Sequence, residues 1–249
     1  MTTCLMDAIE GRYVATADIP GAFLQATMDE DVWIKFEGEM VDIIVSINRK
    51  LYGSCMCTYR NKKFLYAKAK KAIFGCLCSA LLFYELFMGE LTRWGFKKNP
   101  YDACTYNKLV NGSQLTVVFH VDDLKCSHIK KSVVEGLLIQ LLKRFRKETP
   151  LSITWGKVHD YLGMTIDYSV DGKVKLYMFD YVEQILREAD HKHVKGTSVS
   201  PAGSNLFKIN EDAEKLSSKD ADQYRRSVAQ LLFLSKLDQS DLQTAVAFL

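Results

Sequence analysis

Leu115-Thr-Val-Val-Phe-His-Val-Asp-Asp-Leu124 decides the reading of this chain: an apolar run is interrupted by two adjacent carboxylates, Asp122 and Asp123, and then resumes. Two charges in such a run must be solvated, paired or bound to a cation. A tight turn between two β-strands, with the aspartates at its tip, meets that need at least cost. Upstream, Asn111-Gly112 is a strong two-residue hairpin signal. Residues 104–109 and 115–120 are therefore expected to pair antiparallel, with the acidic pair in the next turn. Hard cations take carboxylate oxygens, so the pair reads either as a Mg²⁺ platform or as a solvated acidic turn of a common kind.

A third aspartate bears on that choice. Arg12-Tyr-Val-Ala-Thr-Ala-Asp18 is a strand-like run closed by Pro20 and Gly21, so Asp18 is expected at the C-terminal end of a buried strand. Two-metal phosphoryl transfer needs carboxylates from separate strands around ions about 3.5–4 Å apart. Asp18, Asp122 and Asp123 are therefore expected to converge, although about a hundred residues separate the first from the others.

Those residues also carry a family resemblance. Thr16-Ala-Asp18-Ile-Pro-Gly-Ala22-Phe23-Leu24 resembles the first catalytic motif of Ty1/copia-type retrotransposon reverse transcriptases. His120-Val121-Asp122-Asp123 is similar to that class's Tyr-Val-Asp-Asp box, with His in place of Tyr. Ala72-Ile-Phe74-Gly75-Cys76 resembles its Ala-Leu-Tyr-Gly segment, and Tyr161-Leu162-Gly163-Met164 its primer grip. Tyr224-Arg225-Arg226 and Thr244-Ala-Val246 are similar to segments further downstream. The motifs run in family order across residues 7–249.

The resemblance implies an RNA-directed DNA polymerase with a palm over residues 1–170 and a thumb-like or connection region over 171–249. The expected fold is α+β, an antiparallel palm-like sheet backed by helices and followed by a helical region. Met1 lies close to Asp18, so the fingers are expected to be truncated. RNase H and integrase regions are expected to be absent, as in a piece of an element's polyprotein. The expected partners are an RNA or DNA template-primer, deoxynucleoside triphosphates and the rest of that polyprotein.

Roles follow from the same resemblance. Asp18 and Asp122 would hold both Mg²⁺ ions (Mn²⁺ as a substitute), with Asp123 the auxiliary carboxylate. Phe23, five residues after Asp18, would be the steric gate beneath the sugar; the plainer reading is a core phenylalanine beside Ala22. Amides around Ile19, Gly21 and Ala22 would meet triphosphate oxygens, since a turn offers N–H donors. His120 would sit beside the primer 3′ end, or is a hydrogen-bonded strand histidine. Tyr161, Leu162 and Gly163 would let the primer backbone approach. Lys157 reads equally as the general acid for pyrophosphate or as a surface charge.

Two positions depart from the family pattern. Cys78 stands where a glutamine is expected and Leu81 where an arginine is expected. A thiol does not replace the hydrogen bonds of an amide. Cys55-Met-Cys57 and Cys76-Leu-Cys78 do not have the Cys-x₂₋₄-Cys spacing of structural zinc. Beyond the residue types themselves, nothing supports Ser-His-Asp or Cys-His catalysis.

Composition sets the outer limits. A chain of 249 residues, 48% hydrophobic and 25% charged, can bury a substantial core as one large or two small domains. A net charge of +3, from 33 basic and 30 acidic residues, does not announce nucleic-acid binding, so any such surface must come from local clustering. Candidate clusters are Lys68/Lys70/Lys71, Lys130/Lys131, Lys143/Arg144/Arg146/Lys147 and Arg225/Arg226, each also readable as a solvated face. Seven cysteines in no extracellular framework, and no long apolar span, point to a reduced intracellular setting, cytoplasmic (in a virus-like particle) or nuclear.

Periodicity completes the outline. Strands are expected at 32–35 and 63–68, and helices at 76–94 (stopped by Gly95), 133–145 and 179–189. A hairpin is expected between 161–168 and 174–178 around Asp171-Gly172, and a long loop over 190–217. A final helix is expected from Ser218, capped by Ser217 or Ser218 and broken near residues 238–241. Three functional readings stand: the polymerase, a catalytically inactive remnant that at most binds nucleic acid, and another metal phosphoesterase.

Overall fold

The computed structural model describes residues 2–145, 150–188, 199–203, 206–208 and 212–249. In chain order the elements are α1 (Thr2–Ile9), β1 (Tyr13–Asp18), α2 (Ala22–Gln25), β2 (Trp33–Glu37), α3 (Glu39–Ile47), α4 (Arg49–Tyr52), β3 (Met56–Tyr59), β4 (Lys62–Lys68) and α5 (Ser79–Arg93). Then come β5 (Lys97–Lys98), β6 (Thr105–Val110), β7 (Ser113–His120), β8 (Asp123–His128), α6 (Lys131–Phe145) and β9 (Ser152–Trp155). The chain closes with β10 (Val158–Tyr161), β11 (Met164–Asp167), β12 (Lys175–Tyr177), α7 (Phe179–Glu188), α8 (Ser218–Leu237) and α9 (Gln243–Ala247). The class is α+β, as the sequence implies. Two compact units form, residues 15–154 and residues 1–14 with 155–249.

In the unit of residues 15–154, a six-stranded sheet runs in the order β5-β6-β7-β8-β1-β9. Alternation decides its faces. Ala15, Ala17, Leu115, Val117, Phe119, Leu124 and Cys126 turn to one side, where α5 and α6 bring Phe83, Phe87, Leu91, Leu138, Leu141 and Phe145 into the same core. Phe87 is fully buried and meets Phe119 edge-on at 4.7 Å and Phe145 at 5.7 Å. Truncating a phenylalanine in such a site costs about 3–5 kcal/mol. The buried Glu90 of α5 accepts hydrogen bonds from Arg93 at 2.9 Å and from Arg144 of α6 at 2.7 Å, pinning the two helices together.

β6 and β7 pair as expected, with Val110 opposite Ser113 and Thr105 opposite Val118. Asn111 (φ 51°) and Gly112 (φ 78°) supply the left-handed turn. A second, three-stranded sheet in the order β2-β4-β3 belongs to the same unit. Its partner helix α3 is absent from the sequence reading, because Met40, Ile43 and Ile47 remain exposed and blur the apolar stripe.

Helix α5 begins at Ser79 rather than at residue 76. The buried Ser79 hydroxyl donates to the Ile73 carbonyl at 2.6 Å and accepts from the Ile73 amide at 3.1 Å, which holds residues 73–78 as a turn.

In the other unit, β10, β11 and β12 form an antiparallel sheet. Tyr161 ends β10 and faces Met164 of β11 across a Leu162-Gly163 turn. The expected strand 161–168 is therefore β11 alone, because Leu162 (φ 53°) and Gly163 (φ 73°) reverse the chain after β10. The Asp171-Gly172 hairpin forms between β11 and β12. α7 ends at Glu188; Ala189 and residues 190–198, 204–205 and 209–211 of the expected loop lie outside the described residues. Ser217 caps α8, accepting the Asp220 amide at 3.2 Å. The last helix breaks at Asp238, where expected.

Candidate active site

β1 is buried along its middle and delivers Asp18, half-buried, at its last position. The next residue ties that strand end to the acidic turn: the Ile19 amide donates to the Asp122 carbonyl at 3.1 Å. The carboxylates that the sequence places in two distant motifs are brought together by this link and by the β8-β1 adjacency. The Ile19 amide is thereby engaged, which corrects the expectation that it is free for a phosphate; Ile19 itself is fully buried.

The acidic turn lies one residue earlier than the sequence suggests. His120 pairs with Asp123 across the β7-β8 ladder, so the loop is only Val121-Asp122, and Asp123 is the first residue of β8. Val121 adopts φ 57°. A β-branched residue is a genuine outlier in that region, and such strain costs on the order of 1–3 kcal/mol. No sequence signal gave it away, because two-residue turns normally announce themselves with Gly or Asn.

The electrostatics follow from crowding. Burial raises the Asp18 carboxyl above its ordinary range, and Asp122 raises it further. Burial likewise raises Asp123, with Asp122 and Asp18 adding to it and His120 pulling the other way. Asp18 and Asp123 are thus both partly buried and both repelled by the Asp122 carboxylate. The three side chains do not form a closed cage: among the described residues, no three His, Cys, Asp or Glu side chains stand close enough to hold an ion together.

Gly21 (φ 61°) turns the chain into the short helix α2, where Ala22 is buried and Phe23 half-buried against the main core. The Phe23 ring packs on Phe74 at 4.7 Å and 56°. The sequence reading did not pair these two rings, and neither motif announces the other. The link is built by the backbone: the Ala72 amide donates to the Ala26 carbonyl at 3.2 Å, and Lys71 bridges to Thr27. Cys78 directs its thiol to Met28 Sδ at 3.7 Å, and Leu81 projects into solvent. His120 is exposed at the end of β7.

The remaining candidates lie in the other unit. Tyr161 is buried with Cys4, Ala8, Val14, Ile166 and Tyr168. Leu162 and Gly163 form the turn beyond it. Lys157 is exposed and pairs with Asp171 at 3.3 Å. Arg146 and Lys147 of the basic cluster fall outside the described residues. No helix among the described residues is long and apolar enough to cross a membrane.

A family model described as reverse transcriptase (RNA-dependent DNA polymerase) matches residues 3–201. The putative transposon Ty5-1 protein of Saccharomyces cerevisiae is 23% identical over 233 residues, which span 93% of this chain and 67% of that protein.

Proposed function

The chain belongs to the reverse transcriptase family of retrotransposons, and on that premise we propose that its acidic turn serves nucleotidyl transfer to a primer 3′-hydroxyl. The 3′-oxygen attacks the α-phosphorus of a bound deoxynucleotide, a P–O bond forms, and the bond to pyrophosphate breaks. Asp18, Asp122 and Asp123 would hold the divalent cations, Mg²⁺ or Mn²⁺, whose charge offsets that building on the phosphate oxygens. The observation that carries the reading is the Ile19–Asp122 link, which seats the end of β1 against the acidic turn.

The remaining residues position the reactants. Gly21 and Ala22 offer their amides to the triphosphate, and Phe23 lies beneath the sugar and excludes a 2′-hydroxyl. His120 borders the primer end. Tyr161, Leu162 and Gly163 serve as the primer grip. Lys157, exposed and paired with Asp171, reads equally as a general acid or as a surface charge. The palm reading spans residues 1–170 and the thumb-like reading 171–249.

The departures at Cys78 and Leu81 favour a second reading, a chain that binds nucleic acid and catalyses little. Positioning of the base and triphosphate is worth up to about 7–11 kcal/mol of barrier. With a thiol turned to Met28 and an exposed leucine in place of amide and guanidinium, we expect slow incorporation by this chain alone. Primer extension on a homopolymer template, beside Asp122→Asn, tests the proposal. Slow synthesis that needs Mg²⁺ or Mn²⁺ and is lost in the variant supports it. Synthesis equal in both would place the activity elsewhere, and strand cleavage without nucleotides would favour a phosphoesterase.

A further inference from the structure

The three-stranded sheet β2-β4-β3 has two unlike faces. On one, Leu65 is fully buried and Ile34 packs against the main core. Lys63 on that side reaches Asp42 of α3 at 2.6 Å. The opposite face follows from the register. Trp33 stands opposite Lys68, Lys35 opposite Tyr66, and Tyr59 opposite Lys62. These six side chains alternate ring and cation across three strands, and all are exposed; Trp33 is 61% and Tyr59 64% accessible.

The pattern is not a set of scattered surface residues. Lys35 Nζ lies 4.4 Å above the Phe64 ring on the same face, and Arg60 lies 5.3 Å above the Tyr59 ring. Two carboxylates answer the cations: Glu37 pairs with Lys35, and Asp31 with Lys68 at 2.5 Å. Four cations (Lys35, Arg60, Lys62, Lys68) against two acids leave the face positive in a chain whose net charge is only +3. Three large rings left in water are unfavourable, and an acidic protein surface would satisfy the lysines but not the rings.

We propose that this face is a stacking platform for single-stranded nucleic acid. Unstacked bases lie on Trp33, Tyr66 and Tyr59 while phosphates meet Lys62, Lys68 and Arg60. Base–ring stacking is tolerant of sequence, and same-face residues along a strand recur about every 7 Å, a spacing that an extended single strand can follow. A stacked duplex offers no free base faces to such rings. The platform deepens the polymerase reading and rests on it for its role, delivery of unpaired template. Its strand β4 runs on into residues 69–72, which hydrogen-bond back to Val32, Met28 and Ala26 beside the Phe23 helix.

The test is fluorescence anisotropy of a fluorescein-labelled, mixed-sequence single-stranded RNA titrated with the full chain. Trp33→Ala and Tyr66→Ala should each weaken binding by about 5- to 150-fold, while Trp33→Phe retains most of it. Lys62→Gln and Lys68→Gln should each lower the slope of log Kd against log salt by about 0.7. Asp122→Asn should bind like the parent, which separates this surface from the acidic site. Parent-like binding by the well-folded Trp33→Ala/Tyr66→Ala chain would overturn the proposal. So would preference for duplex, or a loss of self-association rather than of RNA binding in that variant. If the alanine variants lose binding while the parent never extends a primer, the platform stands and the polymerase reading fails.

Discussion

Strand β7 ends in two turns of opposite character. At one end, Asn111-Gly112 uses residues that adopt positive φ readily. At the other, Val121-Asp122 forces a β-branched residue to φ 57°. Both join antiparallel neighbours of one sheet through two residues. The first turn is chosen for folding. The second sets Asp122 beside Asp18 and Asp123 and carries backbone strain and carboxylate repulsion, the pattern expected where a site overrides local preference.

The largest expected difference between the turns is functional. Asp122→Asn should lower nucleotide incorporation by about a hundredfold or more, measured by single-turnover primer extension, whereas Asn111→Asp should leave it unchanged. Next in size is stability. Gly112→Val should cost about 1–3 kcal/mol in urea unfolding. A Cβ at Gly112 would meet nothing within 4 Å, so the positive φ rather than a clash at Cβ sets the cost. Val121→Gly should do the reverse, gaining about 1 kcal/mol as strain relief exceeds the added chain entropy. Loss of stability there would show that the Val121 side chain, not the backbone, holds the turn.

The smallest effect is electrostatic. The folded-state pKa values of Asp18 and Asp123 lie above their ordinary values. The folded chain therefore binds more protons than the unfolded chain between about pH 3.8 and the raised values, and stability falls as pH rises through that window. Asp18→Asn should flatten the fall and leave the chain slightly more stable at neutral pH. Thermal unfolding followed from pH 4 to 7 checks this, and a steeper fall in the variant would contradict it.

Much of the architecture was legible before the structure. Asn111-Gly112 fixed its hairpin through turn chemistry, Ser217 marked the start of α8, and the 3.6-residue apolar pattern gave α6. Asp18 and the acidic pair could be named because strand-like runs end at them. What stayed hidden depends on contacts between distant segments. The Ser79 hydroxyl, not residue 76, starts α5, because it grips Ile73. Leu162 places a turn where a strand was expected to open, by taking a conformation its side chain disfavours. The Phe23–Phe74 pair joins two motifs through Ala26 and Ala72, which carry no chemical signal. The lysine–aromatic face of β2-β4-β3 needed the strand register before its residues could be seen to share one side.

In the proposed reaction Asp18 and the Val121-Asp122 turn would form one cation site, and the Asn111-Gly112 turn none. Mn²⁺ titration followed by electron paramagnetic resonance tests it most directly, with the parent chain beside Asp18→Asn, Asp122→Asn and Asn111→Asp. Mn²⁺ uptake is expected in the parent and in Asn111→Asp, and its loss in both Asp18→Asn and Asp122→Asn. Uptake by Asp18→Asn equal to that of the parent would contradict the claim, because the end of β1 would then take no part in the site.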